Sequence, residues 1–290
     1  MEKVGFIGLG IMGKPMALNL IKAGYTVLIL ETSAAAKEVA AAGAKEYKTS
    51  KALAHDSDVV ITMLPDSPEV ETVVLGKDGV IEGIRPGSIF VDMSTIAPAT
   101  AKKIYNAFQE KKVEALDAPV SGGQVGAESG TISIMVGGSQ DAFDKVLPLF
   151  NVMGKSAVLI GDAGAGQTTK ACNQIIVGMT IQAVAEAFAL AKKADVNLEK
   201  MREALLGGFA QSRILDLHGQ RIIDDNFKPG FKVKLHRKDM NIALQAGKEF
   251  SVPLQGSAQV AANMDALIAQ GKGELDHSAL YVLLAELAAI

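Results

Sequence analysis

Apolar and polar residues follow one pattern in the first half of the chain and another in the second. In the first half, short apolar runs predict strands at Val4–Gly8, Thr26–Leu30, Val59–Met63, Ile89–Met93, Ala115–Ala118 and Ser133–Val136. The segments between them have helical spacing and predict helices at Lys14–Ala23, Ala34–Ala42, Pro68–Val74 and Ala99–Lys111. Strands that alternate with helices indicate βαβ units, and therefore a parallel sheet covered on both faces.

Beyond Gly166 the pattern is helical throughout. It predicts helices at Thr168–Ala194, Leu198–Gly207, Arg213–Asp224, Leu235–Lys248, Val252–Gln270 and Ala279–Ala288. Four glycines, at positions 154, 161, 164 and 166, indicate flexible backbone between the two patterns. We therefore predict an α/β domain over residues 1–163, followed by an all-α domain over residues 164–290.

Composition narrows the class of protein. The length of 290 residues fits two domains of roughly 100–200 residues each. The formal net charge of -3 provides no general attraction to nucleic acid or to an anionic membrane, so we expect neither as a partner. The single cysteine, Cys172, excludes an intramolecular disulfide and fits a reducing, cytoplasmic compartment.

The distribution of apolar residues predicts neither a targeting segment nor a membrane-spanning segment. The N-terminal residues lack the pattern of a signal peptide. The most apolar stretch, Gln174–Ala191, is interrupted by Gln182 and Glu186, and we interpret it as a buried helix rather than a membrane span.

A glycine-rich turn follows the first predicted strand. The run Gly8-Leu9-Gly10-Ile11-Met12-Gly13 has the spacing G-x-G-x-x-G, with a strand before it and a helix after it. Such a turn lets backbone N–H groups approach a pyrophosphate, and the following helix N-terminus favours the negative charge. The context therefore predicts a Rossmann-type, doubly wound dinucleotide-binding domain, and a bare strand-to-helix turn is the alternative.

The next strand ends at an acidic residue, Glu31. An acidic side chain about 20 residues beyond the glycines accepts hydrogen bonds from the ribose hydroxyls and repels a 2′-phosphate. Thr32 stands where an arginine would favour NADP. We therefore expect NAD as the cofactor, with NADP possible and a solvated surface glutamate as the alternative for Glu31.

Two further segments end strands at the same edge of the predicted sheet. Met63-Leu64-Pro65 is predicted to form a cofactor wall, although a plain turn explains it nearly as well. Thr95 is predicted to contact the nicotinamide ribose, or else to cap the next helix from its position before Pro98.

Candidate reactive residues lie in three later segments. Ser121 with the N–H groups of Gly122 and Gly123 could bind a carboxylate, or could form an ordinary turn. Lys170 and Asn173 are three residues apart and share a helix face, where a lysine is ordinarily solvated. Cys172 lies off that face and is expected in the core. Lys238 has Asp239 beside it, and a surface ion pair is the alternative there.

The four histidines, at positions 55, 218, 236 and 277, are scattered along the sequence. They make no ligand spacing typical of a metal site, so we predict no metal.

Taken together, four blocks resemble the β-hydroxyacid dehydrogenase family over essentially the whole length. These blocks are Gly5–Gly13, Asp117–Gly123, Gly166–Gln174, and Phe231 with Lys238-Asp239. The resemblance implies that Lys170 is catalytic and that Asn173, Ser121, Gly122 and Gly123 hold the substrate. It also assigns Thr95, Phe231 and Lys238 to the cofactor. Thr32-Ser33 departs from many relatives, which carry Arg followed by Asn or Thr.

The resemblance implies hydride transfer between a nicotinamide cofactor and a small β-hydroxy acid or its semialdehyde. The segments Asn226–Phe231 and Asp276–Leu280 favour tartronate semialdehyde, with D-glycerate as its product. Substrates based on 3-hydroxyisobutyrate or succinic semialdehyde are the alternatives within the family. A non-catalytic dinucleotide-binding module is the alternative outside it, and would be expected to lack Lys170. The helical domain is expected to bind substrate and to form a homodimer or homotetramer.

Overall fold

The computed structural model describes residues 2–33 and 35–290. The chain forms two compact units, the first ending at Lys170 and the second covering Ala171–Ile290. This division lies inside a long helix, α9 (Ala165–Lys193), whereas the predicted boundary at residues 163 and 164 lies just before that helix begins.

The first unit is built on one sheet. Its strands within the described residues are β1 (Lys3–Ile7), β2 (Thr26–Leu30), β3 (Lys45–Tyr47), β4 (Val59–Thr62), β5 (Ile89–Asp92), β6 (Glu114–Asp117), β7 (Val120–Ser121), β8 (Ile132–Gly137) and β9 (Gly154–Gly161). They lie in the order β3-β2-β1-β4-β5-β6-β8-β7, with β9 also paired to β8. Strands β1 to β6 are parallel, and the strand order reverses between β1 and β4. In such sheets ligands bind beyond the carboxyl ends of the strands at this reversal.

Helices connect these strands and cover the sheet. Those of the first unit are α1 (Gly13–Lys22), α2 (Ala36–Ala41), α3 (Ser50–Asp56), α4 (Ser67–Leu75), α5 (Val80–Gly83), α6 (Pro98–Glu110), α7 (Gly123–Glu128) and α8 (Gln140–Met153). Because side chains alternate along a strand, the buried strands contribute side chains to two hydrophobic cores, one on each face of the sheet. Phe6 belongs to the core on one face, and its neighbour Ile7 to the core on the other. The predicted doubly wound α/β fold is confirmed.

The pattern missed several short or half-exposed elements. Predicted strands and helices are present, but β3, α3, α5, β7, α7, α8 and β9 were not predicted. Strand β9 has alternating exposure, and two glycines that were interpreted as flexible boundary, Gly154 and Gly161, are its first and last residues. Helix α8 carries Pro148 inside it, a residue that predicts a helix break. Ala34, the predicted first residue of the second helix, lies outside the described residues.

The second unit is helical, as predicted. After α9 it contains α10 (Leu198–Leu206), α11 (Arg213–Ile223), α12 (Val233–Glu249), α13 (Gln255–Ala269), a 3-10 turn (His277–Ala279) and α14 (Leu280–Ala288). Its core includes Ile181, Met240 and Leu280, each nearly inaccessible to solvent. Helix α9 is long and apolar enough to cross a bilayer by length and composition, but half of its most apolar 18-residue window is buried in the protein.

Candidate active site

The three glycines of the turn after β1 have different surroundings. Gly8 has φ +103°, and a Cβ there would lie 2.2 Å from the carbonyl oxygen of Met63. A Cβ on Gly13 would lie 1.8 Å from the carbonyl oxygen of Gly8. A Cβ on Gly10 would meet nothing within 4 Å. Gly8 and Gly13 therefore allow the tight packing of the turn, while Gly10 leaves open space at the N-terminus of α1, where a pyrophosphate fits.

The residues between the glycines differ in exposure. Leu9 is 6% exposed and belongs to the core, whereas Ile11 is 56% exposed. Met12 is the N-cap residue of α1 and makes no side-chain capping bond. The first turn of α1 also lacks an acidic residue of its own, which favours an anionic ligand at this helix end.

Glu31 lies directly after β2 and is exposed. Its N–H donates to the carbonyl of Tyr47 at 3.0 Å, which fixes its backbone at the carboxyl edge of the sheet. Met63, Leu64 and Pro65 follow β4 at the same edge, and their exposure increases from half-buried to exposed at Pro65. These are the positions that the sequence predicted for the ribose partner and the cofactor wall.

Thr95 lies in the loop after β5 and is half-buried. The alternative role in helix capping is wrong, because α6 begins at Pro98 with Ala97 as its N-cap and no side-chain capping bond. The residue before it, Ser94, is buried, and its Oγ accepts a hydrogen bond from the N–H of Leu64 at 2.8 Å. The loops after β4 and β5 are thereby joined.

Ser121 ends the short strand β7, opposite Ser133 of β8. Gly122 follows with φ +145° and is the N-cap residue of α7, and Gly123 has φ +62°. Both glycines are exposed, and a Cβ on Gly123 would meet nothing within 4 Å. The turn therefore presents its backbone to solvent in a conformation that side-chain-bearing residues rarely adopt.

Asp117, at the end of β6, caps the start of α9. Its two carboxylate oxygens accept hydrogen bonds from the N–H groups of Gly164 (2.7 Å) and Gln167 (2.8 Å). Burial raises the pKa of Asp117 to about 6, against the opposing effect of these two bonds. A carboxylate at a helix N-terminus also complements the helix dipole. The start of α9 is thus anchored to the sheet.

Lys170 lies in the second turn of α9 and is 6% exposed. Lysines are almost never this buried, because the ammonium group loses its hydration. The expectation of an ordinary solvated lysine is therefore wrong for this position. Its neighbour Cys172 is exposed, so the expectation of a core cysteine is also wrong. Asn173, one turn further along the same helix, is half-buried.

A buried chain of polar groups in the second unit links two predicted site residues. The Asn173 side-chain N–H donates to Oε1 of Gln174 at 2.7 Å, and the Gln174 amide donates to Asp239 at 2.5 Å. The other oxygen of Asp239 lies 2.9 Å from Nζ of Lys238. Asp239 is 3% exposed, so this ion pair is not the surface pair that the sequence left open. This series of polar contacts fixes the side chains of Asn173 and Lys238 relative to each other.

Phe231 is held by backbone and ring contacts. Its N–H donates to Asp276 at 3.1 Å, and its carbonyl accepts from the N–H of His277 at 2.9 Å. The ring lies near the rings of His277 and His236, at centroid distances of 5.5 and 5.8 Å. The two sequence segments that favoured tartronate semialdehyde, at residues 226–231 and 276–280, are therefore in contact with each other.

Three of the four histidines, His218, His236 and His277, lie together in the second unit, whereas His55 is exposed beside Asp56 in the first. His236 and His277 approach each other at 2.9 Å between their Nδ1 atoms, and the ligand atoms of His218, Asp276 and His277 lie within 4.8 Å of one another. Sequence separations of 18 to 59 residues concealed this cluster. Both oxygens of Asp276 already accept hydrogen bonds, two of them from Ser278. Burial lowers the pKa of His277 well below its ordinary value. The cluster is a buried hydrogen-bonding hub that fixes the Phe231 loop.

Sequence reasoning missed the residues that support the candidate site. Gln167, Gln174 and Asp276 are buried and hydrogen-bonded to segments that carry predicted site residues. Gln167 and Gln174 lie inside a block quoted for the family resemblance, which was the only signal for them. Within the first unit the structure brings Thr95 and the start of the Lys170 helix together. Within the second it brings Asn173, Lys238 and the Phe231 loop to defined positions.

A doubly wound sheet with a G-x-G-x-x-G turn, followed by a helix that carries a buried lysine, is the arrangement that the sequence predicted for a nicotinamide-dependent oxidoreductase. Two family models cover nearly the whole chain. Residues 3–161 match the NAD-binding domain of 6-phosphogluconate dehydrogenase, and residues 164–284 match the NAD-binding domain of NADP-dependent 3-hydroxyisobutyrate dehydrogenase. The chain belongs to the β-hydroxyacid dehydrogenase family, and its predicted NAD(P)-dependent dehydrogenase activity is confirmed at this level.

Individual relatives are similar over their full length. The chain is 45% identical to 2-hydroxy-3-oxopropionate reductase of Escherichia coli, covering 96% of this chain and 95% of that protein. It is 36% identical to an NAD-dependent L-serine dehydrogenase of Pseudomonas aeruginosa, covering 98% of each. The solved structure of Mycobacterium tuberculosis 3-hydroxyisobutyrate dehydrogenase with L-serine matches with a TM-score of 0.90 at 31% identity, covering 98% of this chain and 99% of that one.

Proposed function

We propose that this protein reduces tartronate semialdehyde to D-glycerate with a nicotinamide cofactor. The observation that carries the proposal is the burial of Lys170 on α9, one helical turn before Asn173. Similarity to the 2-hydroxy-3-oxopropionate reductase of Escherichia coli supports this substrate over other small semialdehydes. The two sequence segments that favoured tartronate semialdehyde, at residues 226–231 and 276–280, contact each other in the structure, which is consistent with a shared role.

The residues present fit a dinucleotide. The open space at Gly10, beside the tight packing of Gly8 and Gly13, admits a pyrophosphate at the N-terminus of α1. Glu31 would accept hydrogen bonds from the adenosine ribose, and Leu9, Ile11, Met12, Met63, Leu64, Pro65, Thr95, Phe231 and Lys238 would provide the other contacts. When bound, the reduced nicotinamide supplies the hydride that reaches the carbonyl carbon.

The protein's own groups bind the substrate and move one proton. Ser121 and the N–H groups of Gly122 and Gly123 hold the carboxylate, while Asn173 orients the reacting end. As hydride reaches the carbonyl carbon, negative charge grows on the carbonyl oxygen. The Lys170 ammonium hydrogen-bonds that oxygen and transfers a proton to it, so the aldehyde becomes an alcohol and Lys170 becomes a neutral amine. In the oxidative direction the neutral amine accepts the proton.

The first prediction concerns cofactor preference. Glu31 should repel a 2′-phosphate, and Thr32 offers no cation to bind one, so kcat/KM should be higher with NADH than with NADPH. Replacing Glu31→Ala together with Thr32→Arg should move the preference toward NADPH, since a repulsive carboxylate is removed and a phosphate partner added. Steady-state assays with each cofactor at a saturating substrate concentration measure both effects. A clear wild-type preference for NADPH would show that this assignment is wrong.

The second prediction tests the carboxylate site and with it the proposed function. Glycolaldehyde has the same hydroxyaldehyde group as tartronate semialdehyde but no carboxylate, so it should be a poor substrate. Ser121→Ala should cost about 1–3 kcal/mol in kcat/KM for tartronate semialdehyde, the scale of one hydrogen bond to a charged group. The same substitution should have little effect on glycolaldehyde, which never made that bond.

Ser129→Ala provides the matched control, because Ser129 lies just after α7 and its hydroxyl, among the described residues, bonds to the nearby Val125 and Thr131. It should leave both substrates unaffected. Equal turnover of the acidic and the neutral aldehyde by the wild type would contradict the proposed carboxylate site.

We also propose a cytoplasmic location and a homodimer or homotetramer. The reducing compartment is supported by the single cysteine, Cys172. Self-association is supported by exposed apolar side chains on α9, among them Ile176 and Leu190 at 65% and 73% exposure.

A further inference from the structure

Gln167 connects the helix of Lys170 to the loop of Thr95. It lies one helical turn before Lys170 on α9 and is 1% exposed. Its side-chain oxygen accepts a hydrogen bond from the N–H of Ile96 at 3.1 Å, and its amide N–H donates to the carbonyl of Ser94 at 2.8 Å. These two backbone groups lie on either side of Thr95, so the Gln167 side chain holds the loop on both sides of Thr95.

We propose that Gln167 is a positioning residue that sets the distance between the Lys170 ammonium and the nicotinamide end of the cofactor. It does so by holding the Thr95 loop against the helix that carries Lys170. The inference rests on the proposed function, because it requires Lys170 to be the proton donor and Thr95 to contact the cofactor.

The loop end of this connection is itself fixed. The N–H of Ser94 donates to Oδ1 of Asp92 at 3.1 Å, and the same oxygen accepts from the Thr62 hydroxyl at 2.8 Å. The Ser94 hydroxyl holds the N–H of Leu64. The loops after β4 and β5, both predicted to line the cofactor, therefore reach Gln167 through Ser94 as one hydrogen-bonded set.

The helix end is fixed as well. Asp117 accepts hydrogen bonds from the N–H groups of Gly164 and Gln167. At Gly166 the helix start approaches the sheet so closely that a Cβ would lie 2.5 Å from the carbonyl oxygens of both Asp117 and Met135. The start of α9 is consequently held in place on the sheet. Because Gln167 lies in this first turn, its side-chain hydrogen bonds hold the Thr95 loop in place as well.

Position 167 requires the hydrogen-bond donor and acceptor of a glutamine, and not merely a side chain that can be buried. A methionine has nearly the same length and would bury well, but it would leave the Ser94 carbonyl and the Ile96 N–H without this partner. Leaving a buried backbone group unpaired is strongly unfavourable, so the loop would move to find other partners. Displacing a reacting group by about 1 Å can lower a rate by ~100-fold.

The test uses Gln167→Met in the full-length protein, with Ser88→Ala as the control. Ser88 is buried at the opposite end of β5 and donates to the carbonyl of Ser57, so its loss also removes a buried hydrogen bond from this sheet. Gln167→Met should lower kcat by roughly 10- to 100-fold, while the dissociation constant for NADH changes by less than ~3-fold. The kinetic isotope effect on kcat, with NADH deuterated at the transferred hydrogen, should rise because hydride transfer becomes rate-limiting. Ser88→Ala should lower the thermal midpoint and leave kcat and the isotope effect unchanged.

Gln167→Glu provides a second variant in case the methionine protein does not fold. An ionised glutamate would place an acceptor against the Ser94 carbonyl, whereas a protonated one restores the donor. Its kcat, divided by that of the wild type at each pH, should therefore rise as the pH is lowered from about 8 to about 6, the range in which a buried glutamate gains its proton. Asp117 and Asp92 are the carboxylates nearest to this position in both proteins, and the division by the wild type removes the pH effects that the two proteins share.

Two results would overturn the proposal. One is a folded Gln167→Met with kcat within ~2-fold of the wild type while Lys170→Ala is inactive, which would leave the proposed function standing. The other is a flat ratio for Gln167→Glu across that pH range. Normal turnover by Lys170→Ala would instead overturn the proposed function, and the role of Gln167 with it.

Discussion

Replacing Lys170 by alanine is expected to lower kcat by roughly 100-fold or more, the usual scale for loss of a general acid. The lysine is 6% exposed and lies on the helix turn between Gln167 and Asn173, and it is the residue proposed to donate the proton. Affinity for NADH should change little, because the proposed adenosine and pyrophosphate contacts lie at the glycine turn and Glu31. Single-turnover kinetics and NADH binding separate the two effects.

Lys192→Ala is the matched control for this substitution. Lys192 lies in the last turn of the same helix and is exposed, so its removal takes the same charge from α9 without touching the site. Its kcat should equal that of the wild type. If Lys170→Ala kept near-normal turnover, Lys170 would not be the acid.

The substitution Gly122→Val is expected to lower kcat/KM by at least ~100-fold, because it removes charge-assisted hydrogen bonds to the carboxylate, each worth about 1.5–3 kcal/mol. Gly122 has φ +145°, which an L side chain rarely adopts, and a Cβ there would lie 3.3 Å from two atoms of Ile132. The branched side chain would occupy the anion's place and turn the N–H groups away from it.

Strain alone could lower the activity of that variant, and Gly24→Val controls for it. Gly24 has φ +93° in the turn between α1 and β2, and a Cβ there would meet nothing within 4 Å. It should lose comparable stability but keep its activity per folded molecule, measured against the folded fraction from thermal unfolding. Normal activity in folded Gly122→Val would contradict the carboxylate site.

The sheet and its glycine turn were predictable because they depend on local patterns. The strand Val59–Thr62 is buried at every position and apolar except at Thr62, as expected for a parallel sheet that is covered on both faces. Gly8, Gly10 and Gly13 stand at a fixed spacing next to such a strand. Two of the missed elements carry weak local signals: β3 has three residues, and β9 alternates mostly between half-buried and exposed positions at the edge of the sheet.

The support of the site was not predictable, because it depends on contacts between distant segments. Gln167 reaches residues 71 and 73 positions earlier in the chain, and Gln174 reaches Asp239 across 65 positions. A glutamine in an amphipathic helix gives no sign of such a partner. The burial of Lys170 and the joining of His218, His236 and His277 likewise follow from tertiary packing. The roles of the reactive residues themselves came from the family resemblance, since their spacing alone left ordinary structural alternatives open.

The central claim is the choice of substrate, and the most direct test compares tartronate semialdehyde with methylmalonate semialdehyde. The two differ only by a hydroxyl in place of a methyl group, while both keep the carboxylate and the aldehyde. A site with polar partners for the hydroxyl leaves those partners unpaired when a methyl group enters, so kcat/KM with NADH should be at least ~10-fold higher for tartronate semialdehyde, with D-glycerate as its product. Faster turnover of methylmalonate semialdehyde, or of succinic semialdehyde assayed in parallel, would contradict the claim.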